Sequence, residues 1–204
     1  MKSSDRIDNS SPTSGLPQPV FILDDFKALI EKIKQGNKSI RIIEIRKLLC
    51  FRGLINHYKD KNTGRCLLAA CKEFAYPHEF HTAKKLTGVN YDVVLVPDGY
   101  FKRHEKKFDV FLTRDHIFLE SDLKCITTKN PDTIGKRIKE GSEQSSRIVL
   151  DITSNISKKE LIVGLKTGCE RNAAVKEILL FYKTGFYCLA KTQVLSKKIF
   201  NVLK

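Results

Sequence analysis

No Cys-x-x-Cys pair occurs in this chain, although it holds six cysteines, at 50, 66, 71, 125, 169 and 188. No Cys/His spacing resembles a zinc site, which argues against a zinc-held scaffold. Several of the thiols lie in apolar runs, where cysteine behaves as a small hydrophobe. That usage fits a reducing compartment better than a disulfide framework. The opening stretch, Met1 to Gly15, lacks the apolar core of a signal peptide. No stretch approaches the roughly 20 apolar residues of a membrane span. A cytoplasmic protein with no membrane partner is expected. Acidic residues are in short supply: 23 against 37 basic ones, a net charge of +14. Such a balance favours polyanions, nucleic acid first and an anionic surface second, and says nothing about fold. There is no internal repeat, and no low-complexity tract beyond the N-terminal tail. What is present, 41% apolar residues in 204, suffices for one ordinary core.

Residues 1–19, rich in Ser, Pro, Asp and Asn, read as a disordered tail. Residues 20–70 read as an N-terminal helical segment. Its first helix is capped by Asp24 or Asp25, carries Phe26, Leu29, Ile30 and Ile33, and closes at Gly36. Residues 39–56 mix periods, so helix and strand stay open there. Tyr58 to Gly64 reads as a loop, and Arg65 to Leu86 as helix with a break at Pro77. Residues 71–204 read as an α/β (α+β) domain. Its strands are Tyr91–Val96, Lys107–Leu112, His116–Ile126 and Arg147–Ile152. Asn130-Pro131-Asp132 starts a helix, and Ser157-x-x-Glu160 is a capping box that starts another. A hairpin turning at Thr184-Gly185 spans 175–190, and a short amphipathic helix spans 194–203. The expected fold is a mixed central β-sheet flanked by helices, with αβββαβ core order and a β-hairpin carrying the acidic positions.

The segment from His116 to Lys124 alternates. Ile117, Leu119, Ser121, Leu123 and Cys125 share one face; Phe118, Glu120, Asp122 and Lys124 share the other. Asp109, on the preceding apolar segment, is expected beside them on a paired strand. Asp, Glu and Lys are depleted in strands, so three at alternate positions suggest chemistry rather than a solvated edge. Carboxylates with a lysine can hold a divalent cation and activate water against a phosphodiester.

Glu79, Asp109, Asp122-x-Lys124 and Gln144, placed on this element order, resemble the PD-(D/E)xK nuclease superfamily. The local text Glu79, Ala83, Leu86, Tyr91, Asp109, Asp122 and Lys124 is similar to Holliday-junction resolvases, with Phe108 where those carry Pro. Asp109, Lys124, the Asn130–Ile138 helix start and Gln144 to Ile152 also resemble the C-terminal toxin nuclease domain of contact-dependent growth-inhibition proteins, the CdiA tRNase family. These resemblances cover roughly residues 74–155. They imply an endonuclease of the tRNA/RNA-cleaving toxin type. The alternatives are a Mg-dependent, resolvase-like DNA endonuclease and a non-catalytic basic nucleic-acid-binding module. The implied partners are nucleic acid and an inhibitory partner protein.

In a metal mechanism, Asp109, Asp122 and Glu79 hold Mg²⁺ or Mn²⁺, Lys124 orients water or offsets developing charge, and Glu120 is a spare acid. In a metal-free mechanism no cofactor is needed. The RNA 2′-OH attacks, and Lys124, Thr127, Thr128, His104, His116 and Arg147 are the candidates for acid, base and cation. Gln144 is expected to hydrogen-bond near the nucleophile. Lys102, Arg103, Lys106, Lys136, Arg137, Lys139, Arg147 and Arg171 are candidates to contact phosphates. Tyr100, Phe101, Tyr182 and Tyr187 are candidates to stack on bases. A third class, an immunity-type partner protein, predicts a tight protein complex and no affinity for nucleic acid at low salt.

Overall fold

The computed structural model describes residues 23–35, 55–69, 77–96, 100–102, 105, 107–114 and 117–203. The tail 1–19, most of the ambiguous 39–56 segment, and the side chains of Arg103, His104, Lys106 and His116 lie outside these residues. The elements are α1 (Leu23–Gln35), β1 (Ile55–Lys59), β2 (Cys66–Ala69), α2 (Pro77–Gly88), β3 (Asp92–Leu95), β4 (Val110–Arg114), β5 (Ile117–Ile126), α3 (Pro131–Gln144), β6 (Arg147–Ile152), α4 (Lys158–Arg171), β7 (Glu177–Tyr182), β8 (Gly185–Ala190), α5 (Lys191–Leu195) and α6 (Ile199–Val202).

Among the described residues eight strands form one sheet whose spatial order is the chain order, β1 to β8. The pairs β1/β2, β3/β4, β4/β5 and β7/β8 are antiparallel. The pairs β2/β3, β5/β6 and β6/β7 are parallel. Parallel neighbours need a crossover, and α2, α3 and α4 supply one each. The mixed α/β architecture expected from the pattern is therefore observed.

Three boundaries differ from expectation. Within 20–70, Ile55–Lys59 and Cys66–Ala69 are strands of the main sheet, not helix. Asp60 makes their turn: its Oδ1 accepts the N–H groups of Asn62 at 3.0 Å and Thr63 at 2.9 Å. Gly64 follows at φ +70, a backbone conformation that a side chain resists. The helix expected from Arg65 gives way to β2, and Pro77 is the first residue of α2 rather than a kink inside a longer helix. Proline suits that place, since the first helical N–H has no partner within the helix. The single helix expected over 194–203 is two short ones, α5 and α6.

The sheet is covered on both faces. One face holds Leu67, Val93, Val110, Leu112, Leu123, Val149 and Leu179, with Ala83 and Leu86 of α2 packed on them. The other face is covered in two parts. Phe26 and Ile30 of α1 sit over Leu68, Val94 and Phe111. Ile134 and Ile138 of α3, with Leu161 and Leu165 of α4, sit over Ile126, Ile148, Leu150, Ile178 and Leu180. Each fully buried aliphatic side chain contributes about 1.5–3 kcal/mol. Helices α3 and α4 touch closely where Gly168 meets Ile138: a Cβ there would lie 2.6 Å from Ile138 Cδ1. The four described cysteines are free thiols. Cys169 is wholly buried in the α4 cluster, and burial pushes its thiol up to about 11.

Candidate active site

The β4/β5 ladder brings the acids together. Val110 pairs with Ser121, and the pairing continues one residue further: Asp109 N donates to Ser121 O at 3.1 Å, while Asp109 O accepts from Val96 N at 2.9 Å. Asp109 thus lies beside Asp122 on the face shared with Phe111, Glu120 and Lys124, because side chains alternate along a strand. Leu123 N donates to Asp109 Oδ2 at 2.6 Å, which fixes that carboxylate against the β5 backbone.

Asp122 is fully buried. Lys124, two residues on, places its ammonium 2.7 Å from Asp122 Oδ2. That nitrogen stands off the hydrogen-bonding direction, so Oδ2 has no well-aligned donor. With its amide oriented to satisfy both neighbours, Gln144 Nε2 donates to Asp122 Oδ1 at 2.7 Å and to Lys107 O at 3.3 Å. Burial raises the Asp122 carboxyl to about 7. The adjoining Asp109 charge adds to the rise, and the Lys124 ammonium opposes it. Desolvation and a neighbouring like charge both disfavour a second anion.

The end of α3 is pinned to this place. Ser145, the C-cap, accepts nothing from the helix with its side chain; instead its Oγ donates to Glu120 O at 3.0 Å, and its N–H donates to Gly141 O at 2.8 Å. Gly141 lies directly over the carboxylate: a Cβ there would stand 2.8 Å from Asp122 Oδ2 and 3.2 Å from Ile148 Cγ1. Glycine at this turn lets α3 settle onto β5 with Gln144 over Asp122.

Beside the pair opens a cleft of about 390 Å³ between α1 and the end of α3. Tyr100, Phe101 and Phe108 form its aromatic side. Lys27 and Glu31 of α1, Lys102, Glu105, Glu120 and Gln144 supply its polar groups. The rings stack edge to face, with Phe101 and Phe108 at 4.8 Å and Tyr100 and Phe101 at 4.9 Å between centroids. Burial pushes the Tyr100 phenol up, and the charges of Glu31, Glu120 and Glu105 push it further.

Of the expected site residues, Asp109, Asp122, Lys124 and Gln144 come together. Glu79 does not join them. It stands in the first turn of α2, the helix packed on the opposite face of the sheet. Among the described residues no cluster of three Asp, Glu, His or Cys side chains forms a metal-holding group. Thr127 and Thr128 lie past the other end of β5, where Thr128 Oγ1 accepts from Asn130 N. Arg147 is paired with Glu177, and Arg137 with Glu140 at 2.8 Å. Lys136, Lys139 and Arg171 share a separate groove of about 380 Å³ between α3 and α4. Tyr182 is a core residue whose hydroxyl donates to Ile156 O at 3.1 Å, and Tyr187 packs against the same cluster.

Gly141, Ser145, the Lys107 carbonyl and the α1 pair Lys27 and Glu31 were not anticipated. Only Gly141 has a local signal: a glycine one turn before a polar C-terminal residue in an otherwise regular helix. Of the described residues, no helix is long and apolar enough to cross a membrane. In comparisons with known proteins the chain matches no family model, no curated protein and no solved structure, so the chemistry rests on this geometry alone.

Proposed function

We propose that this chain is an endonuclease that cleaves phosphodiester bonds of nucleic acid, with tRNA and other structured RNA as the first substrates. The observation that carries this reading is the cluster of Asp109, Asp122, Lys124 and Gln144 on one face of β4 and β5, at the edge of an open cleft. Two adjoining carboxylates, one with a buried oxygen that lacks an aligned donor, suit a hard divalent cation. Mg²⁺ and Mn²⁺ are often held by one or two carboxylates, with waters and a substrate phosphate completing the shell. Asp109 and Asp122 would hold the ion, which when bound would supply a water acidic enough to act as nucleophile.

The remaining steps belong to the protein. Gln144 holds Asp122 Oδ1, and the Leu123 N–H holds Asp109 Oδ2, so both carboxylates keep fixed orientations. Lys124, 2.7 Å from Asp122 Oδ2, would orient the attacking water and offset charge growing on the phosphorus oxygens. The +14 net charge raises encounter rates with a polyanion, and the groove of Lys136, Lys139 and Arg171 can hold its flanking phosphates. The free thiols suit work in a reducing cytoplasm.

Purified protein incubated with tRNA, and separately with branched DNA, tests the proposal in Mg²⁺ and in EDTA. Cleavage abolished by EDTA and by Asp122→Ala is the expected result. Cleavage of RNA that survives EDTA points instead to attack by the 2′-OH with Lys124 as the cation. Binding with a steep salt dependence and no cleavage refutes the enzyme and leaves a basic binding module.

A further inference from the structure

Lys136 and Lys139 of α3 and Arg171 of α4 converge on a hollow of about 380 Å³. All three are exposed. Their neighbour Arg137 is held by Glu140 at 2.8 Å, whereas no ion pair among the described residues engages these three. Like charges one turn apart on a helix repel, so Lys136 and Lys139 gain from an anion that a ligand brings. The one carboxylate of the lining, Asp132, stands in the first turn of α3, where an acid complements the helix dipole. The carbonyls that end α4 would repel an anion, but two of them are already engaged. Asn172 Nδ2 donates to Gly168 O at 2.6 Å, and Lys191 Nζ donates to Asn172 O at 2.9 Å.

Gly135 belongs to the same hollow. Glycine weakens a helix interior, and helix packing does not demand it here: a Cβ would meet nothing nearer than 3.7 Å. At Gly164 and Gly168, where α4 settles onto α3, the same carbon would come within 2.6 Å of a neighbour. A glycine that packing leaves optional keeps the hollow open between the cations of the two helices. The rest of the lining is polar, with Thr167 and Asn172 completing it. A protein interface is built around apolar or aromatic anchors, and a base needs an aromatic surface to stack on. Among the described residues that line the groove there is neither. A sugar-phosphate backbone needs only cations and hydrogen-bonding groups.

We infer that this groove binds the sugar-phosphate backbone of a stretch of substrate lying across α3 from the reacting centre, without reading its sequence. The inference rests on the nuclease reading of the carboxylate pair and adds to it a substrate class: nucleic acid long or folded enough to lie on both sides of α3. Helices α1, α3 and α4 cover the same face of the sheet. The cleft opens between α1 and the end of α3, and the groove between α3 and α4. From Lys139 to Gln144 is about 7.5 Å along α3, and a helix is about 10–12 Å across, so a backbone joining the two places covers roughly 13 Å. A stacked strand advances about 3.4 Å per nucleotide, so about four nucleotides separate the held phosphates from the bond that is cut.

Fluorescence anisotropy of a labelled tRNA with the full chain, in EDTA and over a range of salt, tests the inference without a cleavage assay. The triple variant Lys136→Gln, Lys139→Gln, Arg171→Gln removes three phosphate contacts. Each contact to a single strand adds about 0.7 to the slope of log affinity against log salt, so the slope should flatten by about two and binding in about 0.1 M salt should weaken by about a hundredfold. A charge-matched control, Lys59→Gln, Lys61→Gln, Lys197→Gln, should bind within about threefold of the parent, because charges more than about 10 Å from a contact are screened at that salt. All six residues are exposed, so both variants should melt with the parent; each single groove variant should flatten the slope by about 0.7 and gives the same reading. Poly-uridylate and poly-adenylate should displace the tRNA equally well. An unchanged groove variant overturns the inference, as does a control that falls as far. Poly-glutamate of equal charge competing as well as poly-uridylate overturns it too, in favour of an acidic protein. Cleavage of tRNA with the same KM in parent and groove variant sinks this inference and leaves the nuclease standing; tRNA affinity lost with the groove, in a protein that cuts nothing, does the reverse.

Discussion

Replacing Asp122 by Asn should make the protein more stable at alkaline pH and abolish the proposed cleavage. Asp122 is wholly buried, and its carboxyl rises to about 7 through burial first and the Asp109 charge second. In the unfolded chain an aspartate titrates near about 3.9. Between those values the folded protein binds a proton that the unfolded chain has released, so stability falls as pH rises through this window. Below about pH 4 both states are protonated and there is no penalty. Above about pH 7 the full penalty applies. A rise from about 3.9 to about 7 corresponds to about 4 kcal/mol as an upper bound. The Lys124 ammonium offsets part of the charge, so about 1–4 kcal/mol is expected. Asparagine fits without new clashes. Its oxygen can face Lys124 and its nitrogen Gln144, whose amide turns to accept. Urea midpoints measured from pH 4 to pH 8 on the parent and Asp122→Asn read this out. The variant should match the parent at pH 4 and exceed it at pH 8. A difference that stays flat with pH, or a variant less stable at pH 8, refutes a buried Asp122 carboxyl raised by its surroundings.

Gly141→Ala should cost about 1–3 kcal/mol and most of the cleavage activity, since the added carbon meets Asp122 Oδ2 at 2.8 Å; thermal melts and a tRNA cleavage assay check both. Gln144→Leu removes the donor to Asp122 Oδ1 and should lower stability by about 1–3 kcal/mol at pH 8, with the loss shrinking in acid, where a protonated Asp122 needs the amide less. On the other face, Asp151 is buried and held by Lys85 at 2.8 Å and Thr82 at 3.1 Å. Lys85→Met should therefore destabilise by about 2 kcal/mol, less than a wholly enclosed pair because Lys85 is 35% exposed, and cleavage per folded molecule should be unchanged.

The parts of the fold that could be read from the sequence are those set by local chemistry. Asn130 does cap α3, its Oδ1 accepting from Asp132 N at 2.9 Å. Ser157 and Glu160 exchange their hydrogen bonds as a capping box, each at 3.2 Å. The β7–β8 hairpin forms as expected, with its turn at Lys183 and Thr184, one residue before the expected Thr184-Gly185, and Lys183 at φ 53. The alternation of β5 was legible because one of its faces is apolar. That face decided which side Asp122 and Lys124 take, and the short link to β4 then decided which residue stands beside them.

What escaped depends on distant chain. Nothing near Tyr58 announces that β1 and β2 will extend the sheet, because the Asp60 side chain rather than a glycine pair makes their turn. The apolar spacing from Arg65 onward is compatible with helix, and only the β2–β3 pairing makes Cys66–Ala69 strand. Glu79 shares a helix with Ala83 and Leu86, and burial of those two settles α2 on the face away from Asp109. The cleft was invisible for a similar reason: its α1 wall comes from residues far upstream, and no short-range pattern couples Lys27 and Glu31 to Glu120.

The strict left-to-right succession of the sheet bears on how the molecule comes into being. Each strand finds its partner in the segment just synthesised or just about to be, so ring closures stay short and their entropic toll small. Among the described strands, none has to thread back between two neighbours already zipped together. Growth can proceed as a ribbon laid down edge by edge, and unravelling can run the same way in reverse.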